Sequence, residues 1–122
     1  MIIIVNKIIV PYGQDWWIIE SKKFKDNKEY DMFIALQVWE HLVGRQREAF
    51  NEVMRISKMA ILSFPYMWNC PEDNANYPEH HMIDEKIISE WTLGVEPMKI
   101  VKIPRTGEKV SKGPRLIYFW RF

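Results

Sequence analysis

The densest group of residues able to do acid–base chemistry is Glu79-His80-His81, with Asp84 just beyond it. A histidine titrating near neutrality can take a proton from a hydroxyl, and Glu79 could orient it. The same four side chains have the chemistry of metal ligands, but adjacent histidines point in different directions in most backbones, so no metal site is read here. The plain alternative is that the pair is exposed, or caps the segment that begins at Ile83. Tyr66, Trp68 and Tyr77 precede the histidines. They could stack on a sugar or ring substrate, or anchor their own loop as a small aromatic core. Further upstream, Gln37, Glu40 and His41 form an abrupt polar cluster after an apolar run.

That apolar run, residues 32–36, is short enough to be a strand buried on both faces. A buried strand ending in polar residues and followed by a helix is how an open α/β sheet forms a binding crevice at its carboxyl edge. An amphipathic helix follows at 44–57. Ala49, Phe50, Val53 and Met54 share one face, while Arg45, Arg47, Glu48, Glu52 and Arg55 face water. Residues 59–64 form a second buried strand, stopped by Pro65. Strand, helix and strand make a right-handed βαβ unit with parallel strands.

The flanks are read in the same way. Residues 2–10 are rich in β-branched side chains and predict a strand ended by Pro11 and Gly13. A second short apolar run, 16–19, ends at Glu20. Residues 21–29 carry four lysines and predict a solvated surface. The stretch 66–82 is a long loop, and loops of that length are usually functional or disordered. Residues 83–91 predict a short helix with Asp84 as its cap and Ile83, Ile87, Ile88 and Trp91 on one face. Strands at 98–103 and 116–122 flank a Gly/Lys/Pro loop too short for a helical crossover, so they pair antiparallel.

Composition narrows the classes. The chain has 122 residues, 48% of them hydrophobic and 14% aromatic, which suits one domain with a packed core. A net charge of +1 gives no field that would attract nucleic acid or an acidic membrane. The basic residues of the last hairpin, Lys99, Lys102, Arg105, Lys109, Lys112 and Arg115, make at most a weak patch without a nucleic-acid motif. The single cysteine, Cys70, excludes an intrachain disulfide framework and a multi-cysteine metal site. The opening apolar run is far shorter than the roughly 20 residues needed to span a bilayer. It also lacks the pattern of a signal peptide. The expectation is a soluble cytoplasmic protein.

In order and wording, residues 15–122 resemble a class I S-adenosylmethionine-dependent methyltransferase. Tyr30-Asp31, the run that follows and Gln37-Val38-Trp39-Glu40-His41-Leu42 look like the family's fourth strand and its "LEHL" ending. Residues 49–56 look like the next helix, and Ala60-Ile61-Leu62-Ser63-Phe64-Pro65 like the fifth strand. His80-His81 before Ile83-Asp84-Glu85 look like the start of the late helix. The final antiparallel strands match the sixth and seventh. The resemblance is to the branch that modifies small molecules and glycans.

The resemblance implies an α/β fold: a truncated Rossmann-like methyltransferase sheet, mostly parallel, with an antiparallel carboxyl-terminal strand pair. It implies S-adenosylmethionine as cofactor and a small-molecule or glycan hydroxyl or amine as methyl acceptor. Glu20 falls near the acid that hydrogen-bonds the adenine amino group; the plain alternative is a surface acid. Leu36 and Gln37 would line the sulfonium region, unless Gln37 only caps its strand. Glu40 and His41 begin the following helix and mostly orient the loop, with His41 sometimes reaching substrate. Tyr66 and Trp68 are substrate-side aromatics. His81, with His80 second, is the base that takes the acceptor's proton. Alignment and desolvation supply most of the rest, because the methyl group is already activated.

The departures are specific. Only Gly13 precedes Gly44, so the Gly-rich loop that lets the backbone approach the cofactor is absent. Val10-Pro11 stands where the family has a ribose-binding acid, and Lys58-Met59 replaces a Gly-Gly turn. Residues 1–122 therefore read as one methyltransferase-like domain without the usual first strand and GxGxG loop. Either residues 2–10 take the vacant place beside the 32–36 strand, or another chain covers that edge, since an open apolar edge aggregates. The expectation is a homodimer or a complex with a partner chain. The competing reading is a methyltransferase-like remnant acting as a binding subunit.

Overall fold

Residues 8–9, 28–68, 83–104 and 113–122 are described in the computed structural model. They form a five-stranded sheet with α1 (Gln46–Ile56) and α2 (Glu85–Trp91) on one face. The strands are β1 (Ile8–Ile9), β2 (Tyr30–Leu36), β3 (Ser57–Pro65), β4 (Lys99–Ile103) and β5 (Arg115–Arg121), in the spatial order β1-β2-β3-β5-β4. Among the described residues no helix is long and apolar enough to cross a membrane.

β2 and β3 run parallel from Tyr30↔Ser57 to Leu36↔Ser63. β1 adds a two-residue parallel pairing, Ile8↔Met32 and Ile9↔Phe33. Ile8 and Ile9 thus lie in the place beside β2 and pair with its edge at Met32 and Phe33. β5 pairs antiparallel with both β3 and β4. The sheet is therefore evenly mixed, and the expected mostly parallel arrangement is not what the described strands form. The short β4–β5 connection returns the chain antiparallel, as expected, and β5 then lies between β3 and β4 and runs antiparallel to both.

The expected elements stand with small shifts. The helix expected at 44–57 spans Gln46–Ile56 and buries Ala49, Phe50, Val53 and Ile56. Met54 is only half-buried, and Ile56 takes the remaining place in the apolar stripe. Arg45–Glu48 and Glu52–Arg55 form ion pairs three residues apart on the outer face.

The strand expected at 59–64 begins earlier, at Ser57, directly after the helix. Lys28 closes that abrupt junction. Its backbone N–H donates to the Arg55 carbonyl at 2.7 Å, and its ammonium donates to the carbonyls of Met54 and Ser57. These carbonyls would otherwise be orphans at the helix end. The Ser57 hydroxyl donates to the Val53 carbonyl at 2.6 Å. Lys58 reaches across to Asp31 at 3.2 Å, so the Lys58-Met59 pair does its work as strand rather than as a turn.

Phe33, Ala35, Ala60, Leu62, Phe64, Leu116, Tyr118 and Trp120 form the core with the two helices. Phe50 meets Trp120 at 5.0 Å between ring centroids and Phe64 meets Tyr118 at 5.3 Å, both edge to face. Edge-to-face pairs add about 0.5–1.5 kcal/mol beyond the area they bury. Asp84 caps α2 as expected, accepting from the Ile87 N–H at 2.9 Å.

Candidate active site

β2 and β3 are parallel and paired as far as Leu36↔Ser63, so both strands leave the sheet at the same edge. Leu36 is 59% exposed there, unlike the buried Phe33 and Ala35 that precede it. Gln37 then takes a left-handed backbone conformation, with φ +60°. A side chain with a Cβ pays roughly 1–2 kcal/mol for that region. Bonds to β3 offset the cost. The Gln37 N–H donates to the Ser63 hydroxyl at 2.9 Å and lies 3.3 Å from the Ser63 carbonyl, while its side-chain amide donates to the same hydroxyl at 3.2 Å. Strain held in place by neighbours is common where a fold keeps a ligand-facing turn.

The chain next makes a 3-10 turn, Trp39–His41, separate from α1. The expectation that Glu40 and His41 begin the helix is corrected here: residues 42–45 intervene. Trp39 anchors the turn. It is 1% exposed, stands edge-on to Phe33 at 5.9 Å and donates its indole N–H to the Gln46 carbonyl at 3.2 Å.

The next two side chains lie side by side but differ sharply in exposure. Glu40 goes inward and is 3% exposed, whereas the His41 side chain retains 36% exposure. The His41 Nε2 remains 3.7 Å from the Glu40 Oε1. Burial pushes the Glu40 carboxyl up to about 7, against a smaller opposing pull from its own backbone and from Arg115. Glu40 is thus a group that changes charge near neutral pH behind the crevice. Its place in the polar cluster was evident in the sequence, but nothing there signalled that it points inward.

Tyr66 to Trp68 leave β3 at the same edge and are strapped to the start of β5. The Tyr66 N–H donates to the Pro114 carbonyl at 3.1 Å and the Trp68 indole donates to the same carbonyl at 2.8 Å. The Met67 N–H donates to the Ile83 carbonyl at 2.8 Å. Gly113 makes the strap possible: a Cβ there would sit 2.7 Å from the Tyr66 carbonyl oxygen. The Tyr66 ring carries the Lys102 ammonium 5.0 Å from its centroid. The Glu85 carboxylate beside it is the main cause that raises the phenol above its ordinary value. The Tyr66 N–H and the Trp68 indole are engaged by the chain itself.

The site residues therefore divide. Leu36, Gln37, His41, Tyr66 and Trp68 belong to the exits of β2 and β3. Glu20, His80 and His81, together with Tyr77 and Glu79, lie outside the described residues. Ser63 was not singled out in the sequence. A serine within an otherwise apolar strand run was its only signal.

No protein-family model matches the sequence, and no curated protein matches it. Solved structures do. The N-methyltransferase NodS from Bradyrhizobium japonicum WM9 matches with a TM-score of 0.54 and 12% identity, over 83% of this chain and 55% of that one. A SAM-dependent methyltransferase from Thermotoga maritima, a possible histamine N-methyltransferase, matches with a TM-score of 0.55 and 9% identity, over 81% of this chain and 59% of that one. The chain shares their fold over the part that it covers. The chain spans somewhat more than half the length of these two methyltransferases. At such identity the methyltransferase fold is what the likeness establishes, and it puts the β2 exit where an open α/β sheet has its crevice.

Were S-adenosylmethionine bound at that exit, Leu36 and Gln37 would be the described residues to meet it. Leu36 offers an exposed apolar shelf, and Gln37 a polar turn whose geometry β3 fixes. The described residues include no acid at the exit for the ribose hydroxyls.

Proposed function

We propose that this chain takes part in methyl transfer from S-adenosylmethionine to a hydroxyl or amine of a small molecule or glycan. The observation that carries the reading is the open exit of β2 within a methyltransferase fold: Leu36 exposed, and Gln37 held in a strained turn by Ser63. Leu36 and Gln37 would hold the methionine end of the cofactor, and Glu20 its adenine. When bound, the cofactor supplies a methyl group already activated on a positively charged sulfur. His81, with His80 second, takes the acceptor's proton as the new bond forms. His41, Tyr66 and Trp68 shape the acceptor side. Orientation and exclusion of water do the remaining work.

A second reading has one specific observation in its favour. Within residues 1–122 only Gly13 precedes Gly44, so these residues themselves supply no Gly-rich turn for close backbone approach to the cofactor. On that reading the chain is an inactive methyltransferase-like subunit. In either case a second copy or a partner chain would complete the site.

Turnover separates the base assignment from structure. Transfer of a labelled methyl group to a panel of hydroxyl and amine acceptors should fall at least about 100-fold in His81→Ala, with cofactor affinity unchanged. Equal turnover in the variant would remove His81 from the chemistry. No transfer from the parent chain, alone or with a partner, would favour the subunit reading.

A further inference from the structure

A groove of about 210 Å³ lies between α2, the turn that follows it and the β4–β5 hairpin. It stands at the β4 end of the strand order, away from the β2 exit. Val95, Pro97 and Ile100 give it apolar walls, and Glu85 and Glu96 place two carboxylates on its rim.

Its floor is Tyr118, which is 5% exposed and wedged between Phe64 at 5.3 Å and Trp120 at 5.4 Å. Among the described residues no group hydrogen-bonds the Tyr118 hydroxyl, although the residue lines the groove. The hydroxyl opens into the groove, where a water or a ligand group can serve as its partner. The phenol is held in its neutral form by burial first, and then by the negative charge of Glu85, by Tyr66 and by Glu96. Of the two lysines on the neighbouring strand, Lys102 is stacked on Tyr66.

We propose that this groove binds a small organic cation: an ammonium group on a short apolar or aromatic body. The Tyr118 hydroxyl accepts from the ammonium N–H at the floor. Glu85 and Glu96 supply opposite charge at the rim, and Val95, Pro97 and Ile100 cover the apolar body. An anion meets two carboxylates and is repelled. A neutral molecule of the same shape leaves them uncompensated. The volume is below the roughly 300–1,000 Å³ of sites for drug-sized ligands, so the ligand is small. The site is independent of cofactor binding at the β2 exit.

The probe is benzylamine, protonated at neutral pH, with benzyl alcohol as its neutral counterpart. Each is titrated into the full chain and followed by amide chemical shifts. Benzylamine should shift the amides of Ser89, Val95, Ile100 and Tyr118, and bind at least tenfold more tightly than the alcohol. Glu96→Gln and Glu85→Gln, both on the exposed rim, should each weaken it about tenfold without loss of the folded spectrum. Tyr118→Phe should weaken it severalfold. Equal binding of alcohol and amine, shifts confined to other residues, absence of binding, or rim variants that bind as the parent does would each overturn the proposal.

Discussion

Gln37 and Ser63 are tied together twice, through the main-chain and side-chain amides of one and the single hydroxyl of the other, at 2.9 and 3.2 Å. The tie joins the exits of two parallel strands and holds Gln37 at φ +60°. Ser63→Ala removes the shared acceptor at a position that is only 4% exposed. The expected loss is about 1–3 kcal/mol in chemical denaturation, with amide shifts concentrated at residues 36–38. An unchanged denaturation midpoint would mean that the turn holds its shape without β3.

Glu40 makes stability depend on pH. Its carboxyl is raised from 4.5 to about 7 in the folded chain, so the folded state holds a proton that the unfolded state has released. Stability is then highest below the unfolded value, falls as pH rises through that window, and levels off above about 7. The full change is ~3 kcal/mol. Denaturation curves between pH 4.5 and 8 should show this slope in the parent and a flatter one in Glu40→Gln. Arg115→Met removes an opposing positive charge and should move the upper end of the slope to higher pH.

Gly113 is at φ +84°, and a Cβ there meets the Tyr66 carbonyl oxygen at 2.7 Å. Gly113→Ala therefore combines a left-handed backbone with a clash against main chain, which cannot swing aside. A loss of about 1–3 kcal/mol is expected, with the Trp68 and Tyr66 signals perturbed first. Fluorescence-monitored denaturation checks it.

Asp84→Ala removes the side-chain acceptor for the Ile87 N–H at the start of a seven-residue helix. The expected cost is about 0.5–2 kcal/mol in thermal or chemical denaturation, while Asp84→Asn or Asp84→Ser retains most of the stability.

The elements were legible because each carries a local pattern. The apolar run at 32–36, the stripe Ala49-Phe50-Val53 and the cap at Asp84 each carry such a pattern, although the run, read as buried on both faces, leaves Ile34 half-buried and Leu36 exposed. The polar exit after Leu36 was legible for the same reason. Not legible was what depends on contacts distant in sequence. Ser63 reads as an interruption of a strand until β3 is laid beside Gln37. Glu40 reads as an acid that orients the loop at the start of a helix, and only the turn anchored by Trp39 shows it buried. Tyr118 reads as one aromatic among several in β5, and only the packing of α2 against the hairpin makes it the floor of a groove. Pairing of β5 with β4 was legible from the short connection between them, whereas its place beside β3 depends on contacts distant in sequence.

The account rests on the β2 exit receiving S-adenosylmethionine, and calorimetric titration of the full chain with S-adenosylmethionine and S-adenosylhomocysteine tests that most directly. The expected result is saturable heat for both ligands, weakened in Ser63→Ala. No heat and no thermal shift at millimolar ligand would contradict it and leave the chain as a methyltransferase fold without the cofactor's site.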